Sequence, residues 1–343
     1  MRAVLFDRYG PPEVLYAGTL PKPVPGRGEV LVRVHAVSVN GGELHGRAGE
    51  LRLVTDLMGR GFPKRMGLDF AGEVAALGPG ATGPRAGDRV WGALGRTFGS
   101  LAEYVVVRPR QIALVPQGIG LVEAAAMPVG AVAITALRDK AGLRPGERLL
   151  VRGGSGGVGH VAVQLGRAYG AHVTALAGAR TLDFVRDLGA HEAYDYATTT
   201  PSELGRFDVV LDTVGTEHPA YRGLLAPGGR MVAIAFDLGR VVPSLAYIAA
   251  SARHGRARVR AFSGRPTTRL LTDLAGHVAK GELRPAVDRV FPLEEAAAAH
   301  RALEAGGVRG KIVVSVVQNP VPAPDQRRNP PSEKNWSPTW GGV

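Results

Sequence analysis

Arg148–Leu149–Leu150–Val151–Arg152 runs directly into Gly153–Gly154–Ser155–Gly156–Gly157–Val158–Gly159. The first five residues have the short apolar pattern of a buried strand. Helical spacing begins where the glycines end, at Val158, Val161, Ala162, Leu165 and Ala168. A glycine string alone marks only a turn; between a strand and a helix it carries more. The first glycines permit the tight turn, the middle ones let the backbone approach a diphosphate, and Gly159 lets the helix pack on the strand. Gly154, Ser155, Gly156, Gly157 and Val158 are therefore candidate contacts of a dinucleotide. The amides of Gly156, Gly157 and Val158 are expected to face an anion at the helix start.

Downstream the same grammar repeats. Gly170 is placed to end the helix, and His172–Val173–Thr174–Ala175–Leu176 reads as the next strand, followed by a helix near Thr181–Leu188. Phe207–Asp212 and Arg230–Ala235 are further buried-type strands. Strands alternating with helices predict an α/β fold with a parallel, doubly wound Rossmann sheet. Sheets of this kind that bind NAD carry an Asp or Glu after the second strand for the ribose 2′-hydroxyl. Here that strand ends Ala175–Leu176–Ala177–Gly178–Ala179–Arg180, without a carboxylate. The small residues around Gly178 leave room for a 2′-phosphate and Arg180 can neutralise it, so the expected cofactor is NADP(H).

Upstream the pattern is strand-like. Val30–Val37 alternates apolar and polar side chains, and short strands are expected at Gly72–Gly78, Asp88–Gly92 and Glu103–Val107 between Gly–Pro turns. This predicts a β-rich, barrel-like domain. From Glu123 to Arg138 an alanine-rich helical stretch follows, broken by Pro128 and Gly130. After the Rossmann segment come helices around Thr268–Lys280 and Leu293–Ala305. A last strand, Lys311–Val317, resembles those of the first domain. The expected division is 1–120 completed by 265–317, a cofactor domain at 121–264, and a tail, 318–343. The tail is rich in Pro, Asn, Ser and charge and is expected to be disordered; Trp336 and Trp340 stand out in it as possible docking groups.

Composition narrows the function classes. The net charge of +12 invites a nucleic-acid reading, but the arginines are scattered and no dense basic run or zinc-finger spacing occurs before the tail, so nucleic acid is not an expected partner. With no cysteine in 343 residues, disulfides, thiolate catalysis and cysteine-held metals are ruled out. The chain enters an apolar alternation at once, without a signal-peptide core, and has no apolar run of about 20 residues. A cytoplasmic protein with no membrane association is expected.

Several strings, in order along the chain, resemble the medium-chain dehydrogenase/reductases, specifically the zinc-independent quinone oxidoreductase branch. They are Gly28–Val34, Val37–Asn40, Gly67–Val74, Ala86–Gly92, the glycine turn, Leu211–Gly215 and Val308–Val313. The resemblance runs from Met1 to about Val317. It implies a GroES-like β-rich catalytic domain formed from both chain ends, a Rossmann domain between, a cofactor in the cleft, and homodimers or tetramers joined through the cofactor domain's edge strand. It places Asn40 beside the nicotinamide ribose as a catalytic-site residue, Tyr196 at the adenine-ribose phosphate, and Val214 and Gly215 along the cofactor. Zinc-dependent relatives hold their metal with a Cys and a Gly-His-Glu segment; here that segment reads Gly67–Leu68–Asp69, so no metal is expected. Many relatives have a Tyr five positions after the matching Asn, where this chain has His45. An imidazole there can donate a proton near neutral pH, or serve only as cleft wall.

The expected function is an NADPH-dependent, metal-free reductase that transfers hydride to a small quinone or α,β-unsaturated carbonyl compound, since a conjugated acceptor disperses the charge that zinc would otherwise stabilise. Leu51–Phe62, with Leu53, Leu57 and Met58, lies where relatives have substrate-pocket loops. Two alternatives stay open: an enoyl-thioester reductase of a biosynthetic pathway, and an RNA-binding protein that keeps the NADPH fold.

Overall fold

The computed structural model describes residues 1–50, 52, 61–95, 97–262, 264 and 266–317. Its strands, in chain order, are β1 (Arg2–Phe6), β2 (Tyr16–Thr19), β3 (Val30–Ser38), β4 (Lys64–Arg65), β5 (Asp69–Leu77), β6 (Arg89–Ala93), β7 (Tyr104–Val107) and β8 (Ile112–Leu114). Then follow β9 (Arg148–Arg152), β10 (His172–Ala177), β11 (Glu192–Asp195), β12 (Phe207–Asp212), β13 (Leu225–Ala233), β14 (Val259–Ala261), β15 (Val287–Pro292) and β16 (Lys311–Ser315).

The strand that leads into the glycines, β9, lies inside a six-stranded parallel sheet of order β11–β10–β9–β12–β13–β14. Strand order reverses between β9 and β12, and that switch point opens at their carboxyl ends, where ligands of doubly wound sheets bind. Leu149, Val151, Val173, Val209 and Leu211 are buried there with Val161, Ala162 and Leu165 of the helix Gly159–Ala168. Gly170, at φ +75°, ends that helix in the left-handed conformation glycine tolerates.

The β-rich part is a seven-stranded sheet of order β15–β16–β3–β5–β6–β8, with β7 also paired to β3, beside a small sheet β2–β1–β4. The last strand pairs antiparallel with β3, bringing Val313–Ser315 against Ala36–Ser38. The chain end and the strand that leads to Asn40 are thus neighbours.

The helical stretch expected over 123–138 is broken where the sequence pattern puts the break: it forms two short helices, Leu121–Ala125 and Gly130–Ile134, the second running into a π-helical stretch, Thr135–Ala141. Pro128 separates the two, as its missing N–H requires. The strand expected at Arg230 starts at Leu225, with an irregularity in its pairing opposite Phe207–Val209 that absorbs Pro227–Gly228–Gly229. The edge strand β14, the helix Val241–Ala250 and the strand β15 were not expected. The tail 318–343, with Trp336 and Trp340, lies outside the described residues, as do Leu51, Leu53, Leu57 and Met58. No helix among the described residues is long and apolar enough to cross a membrane.

Candidate active site

Three glycines of the turn have a measurable reason. Gly153 stands at φ +78°, and a β-carbon on it would meet Thr213 Oγ1 at 2.4 Å. A β-carbon on Gly154 would meet Ala175 Cβ at 2.9 Å, and one on Gly159 would lie 2.0 Å from Gly153 O. These three are required by packing. Gly156 is different: its nearest neighbour would be Gly153 O at 3.4 Å, with open space beyond. Its amide donates to Gly153 O (3.1 Å) and so closes the turn instead of facing an anion. Among the described residues the amides of Gly157 and Val158 take no acceptor, which leaves those two at the helix start as anion donors. Beneath them, buried His160 sets Nδ1 3.1 Å from Gly156 O, and burial pulls its pKa down to about 4.

The end of β10 gathers the next group. Tyr196 donates its backbone N–H to Ala177 O, and its ring lies over Gly178, 3.4 Å from where a β-carbon would stand. Arg180 follows Gly178 in a single helical turn, Ala179–Thr181, and its guanidinium reaches within 3.0 Å of a β-carbon position on Gly307. Arg309 donates from Nη2 to Arg180 O at 3.2 Å. Two arginines, one from each part of the molecule, therefore meet just beyond the end of β10. Sequence reasoning quoted Arg309 in a motif without giving it a role.

At the switch point Asp212, fully buried, accepts from the amides of Val214 (2.9 Å) and Gly215 (3.2 Å) and so shapes that turn. Gly215 stands at φ +92°, and a β-carbon there would also meet Phe236 N at 2.5 Å. Arg152 Nη2 holds Thr216 Oγ1 (2.9 Å) and Glu217 Oε2 (3.0 Å), with its guanidinium 3.9 Å from the Tyr221 ring centroid. His218 Nε2 stands 3.2 Å from Asp212 Oδ2. None of Arg152, Asp212 or His218 had been singled out; the polar residues that end β9 and β12 were the available signal.

Asn40 stands two residues beyond the end of β3, at the N-cap position of the helix Gly41–Ala48 but without a side-chain capping bond. Its Nδ2 is 3.0 Å from Glu43 Oε1, 3.0 Å from Asp69 Oδ2 and 3.2 Å from Ser38 O. Its Oδ1 accepts from Lys311 Nζ at 2.6 Å, and Lys311 also donates to Val39 O at 2.8 Å. Asp69 takes Ser38 Oγ at 2.9 Å, and Glu43 Oε2 takes the Gly67 amide at 3.1 Å. Glu43, Asp69 and Lys311 are all buried. Burial pushes the Glu43 carboxyl up to about 7, aided by the Asp69 charge, and pushes Asp69 up and Lys311 down. This network touches the glycine turn: Gly310 N donates to Ser155 O (2.8 Å), and a β-carbon on Gly157 would lie 3.1 Å from Lys311 Cδ.

His45 sits elsewhere on the helix of Glu43, with Nδ1 2.8 Å from Glu50 Oε2 and its side chain 44% exposed. Among the described residues it makes no hydrogen bond or ion pair with the Asn40 network. Glu43, Asp69 and Lys311 were missed as a group because they come from three distant segments and meet only when β3, β5 and β16 pair.

A zinc ion does not suit these residues. The chain has no cysteine, and the Asp69 carboxylate faces a hydroxyl, an amide and, at 4.0 Å, an ammonium.

Residues 26–117 match the family model described as alcohol dehydrogenase GroES-like domain, and residues 188–314 the one described as zinc-binding dehydrogenase. The mitochondrial NAD(P)H oxidoreductase RTN4IP1 of Danio rerio is 32% identical, over 93% of this chain and 92% of the relative. The 2-methylene-furan-3-one reductase of Solanum lycopersicum is 30% identical, over 94% of this chain and 80% of the relative. Among solved structures, the quinone oxidoreductase of Coxiella burnetii superposes with a TM-score of 0.81 at 30% identity, covering 92% and 99% of the two chains.

Proposed function

The chain belongs to the quinone oxidoreductase-like branch of the medium-chain dehydrogenase/reductases, and from there we propose an NADPH-dependent reductase that needs no metal and acts on a quinone or an α,β-unsaturated carbonyl compound. The observation that carries the reading is the contact between the glycine turn and the Asn40 network, made by Lys311 beside Gly157. A diphosphate on the turn places the far end of a dinucleotide beside Asn40.

In this reading the amides of Gly157 and Val158 receive the diphosphate, and Arg180 with Arg309 receives a 2′-phosphate beside the Tyr196 ring. Val214, Gly215 and Asn40 border the nicotinamide end. A reduced nicotinamide, when bound, supplies a hydride, and the protein's part is to hold it close to the acceptor and away from water. The substrate must disperse its own developing charge, because a chain without cysteine, whose Asp69 carboxylate faces the Lys311 ammonium, offers no donor set suited to zinc. A quinone or enone can do so; a simple ketone cannot. The final proton comes from water or from His45, which Glu50 orients.

A homodimer is part of the proposal. The edge strand β14 pairs only with β13 among the described residues. Nearby, Val242 (77% exposed) and Leu245 of the apolar helix Val241–Ala250 face outward. NADPH oxidation followed in parallel with a quinone, an alkenal and an enoyl-thioester tests the substrate class. Turnover with the thioester alone would move the function to thioester reduction, and turnover with none would remove the enzyme reading.

A further inference from the structure

The amide nitrogen of Asn40 has two hydrogens and three acceptors within reach: Glu43 Oε1, Asp69 Oδ2 and Ser38 O. Its oxygen faces the Lys311 ammonium at 2.6 Å. Exchanging the two ends would set a carbonyl against two carboxyl groups and an NH2 against a cation, so charge alone dictates the orientation. Two buried carboxyls that meet on one NH2 group resist ionising together, and the Lys311 ammonium opposes that by favouring their charged forms.

Lys311 also reaches the other end of the cofactor path. It lies against Gly157, and the residue before it bonds Ser155 of the same turn. Its stem therefore touches the diphosphate loop while its head holds Asn40.

We infer that Glu43 and Lys311 are positioning residues for hydride transfer: they fix the Asn40 side chain relative to the glycine turn, so that ribose and diphosphate are held in one register. Neither residue needs to touch substrate. The inference rests on the reading of Asn40 as the contact of the nicotinamide ribose. Misplacing a positioned reactant by about an ångström slows its reaction by ~10- to 100-fold, the scale expected when Asn40 is loosened.

The test is a double-mutant cycle on the full chain, with Asn40→Ala, Lys311→Met, Glu43→Gln and the two doubles that contain Asn40→Ala. NADPH affinity is read by fluorescence titration, the hydride step by single-turnover NADPH oxidation with a quinone, and folding by thermal melting. Lys311→Met should slow the hydride step by about tenfold or more, and Glu43→Gln should slow it in the same direction. Neither should slow an Asn40→Ala protein further, because each acts through that side chain. Losses that multiply in the doubles, or full activity in both single variants, would overturn the inference while leaving the proposed function standing. Should Lys311→Met fail to fold, the Glu43→Gln arm, which changes one atom, decides the matter. If the unaltered chain binds NADPH but reduces no acceptor, the proposed reaction falls and the inference about hydride transfer falls with it. If it binds no NADPH, both fall.

Discussion

Two glycines three residues apart should fail in opposite ways when each is changed to alanine. At Gly159 a β-carbon would stand 2.0 Å from Gly153 O, 2.8 Å from Gly153 C and 2.9 Å from Gly154 Cα. All three are backbone atoms, so no side chain can rotate away and the helix Gly159–Ala168 must lift off β9. Overpacking of that kind costs about 3 kcal/mol or more, which for a domain of this size lowers the melting temperature by roughly 6–12 °C. At Gly156 the nearest atom would be 3.4 Å away, an ordinary contact, and φ is not in the left-handed region. Gly156→Ala should therefore melt within a couple of degrees of the unaltered chain. Its methyl group occupies the open space beside the Gly157 and Val158 amides, where a diphosphate must approach. Losing one charge-assisted hydrogen bond there costs about 2 kcal/mol, or roughly 30-fold in NADPH affinity. Differential scanning calorimetry and fluorescence titration of the two variants give both numbers. Unchanged melting for Gly159→Ala, or unchanged NADPH affinity for Gly156→Ala, would refute the assignment of these glycines to packing and to cofactor approach.

Arg180→Ala and Arg309→Ala should each weaken NADPH binding by about 10-fold or more while leaving NADH nearly unaffected; equal losses for the two cofactors in isothermal titration would remove the 2′-phosphate assignment. His45→Phe should lower turnover at saturating NADPH if the imidazole delivers the proton, and an unchanged rate assigns that proton to water. His160 is neutral in the folded protein, with a pKa near 4 against 6.5 for the free side chain. The unfolded chain therefore binds more protons between those values, and the His160 share of stability, roughly 3 kcal/mol, is lost as pH falls from about 6.5 through 4. Glu43, raised to about 7, acts oppositely, its contribution fading as pH rises from about 4.5 through 7. The test is thus the difference in urea-unfolding free energy between the chain and His160→Gln at pH 7.5 and 4.5, in which Glu43 cancels; a pH-independent difference contradicts the assignment. Val242→Asp with Leu245→Asp should convert a dimer to a monomer in light scattering, and a dimer that survives must be joined by another face.

The Rossmann sheet was legible because its signals are local. An apolar strand, a glycine turn and a helix follow one another within about twenty residues, and β9, β10 and β12 lie within a residue of where the pattern sets them. Gly178 and Arg180 could be named for the same reason, since they follow a recognised strand, whereas Tyr196 came only with the family resemblance. What was lost is polar and long-range. Lys311 opens a strand of otherwise apolar character and Asp69 begins another, so each reads as a strand end facing solvent until β3 brings them together. The strand β15 carries Asp288 and Arg289 in its middle, which hides its period. The helix Val241–Ala250 is apolar nearly all round and contains Pro243, so no stripe marks it. The basic charge also changes meaning in the structure. Arg47, Arg152 and Arg230 are buried in ion pairs or on carbonyls, with Arg230 holding Glu147, Ala141 O and Gly142 O. These arginines hold the fold together and offer nothing to an outside anion.

Metal-free hydride delivery from NADPH to a conjugated acceptor is tested most directly by NADPH oxidation at 340 nm, assayed with a strong chelator present, against a quinone, an alkenal and the matching saturated ketone. The expected result is turnover with the quinone or the alkenal that the chelator does not diminish, and none with the ketone. Turnover of the saturated ketone, or activity that the chelator abolishes, would contradict it.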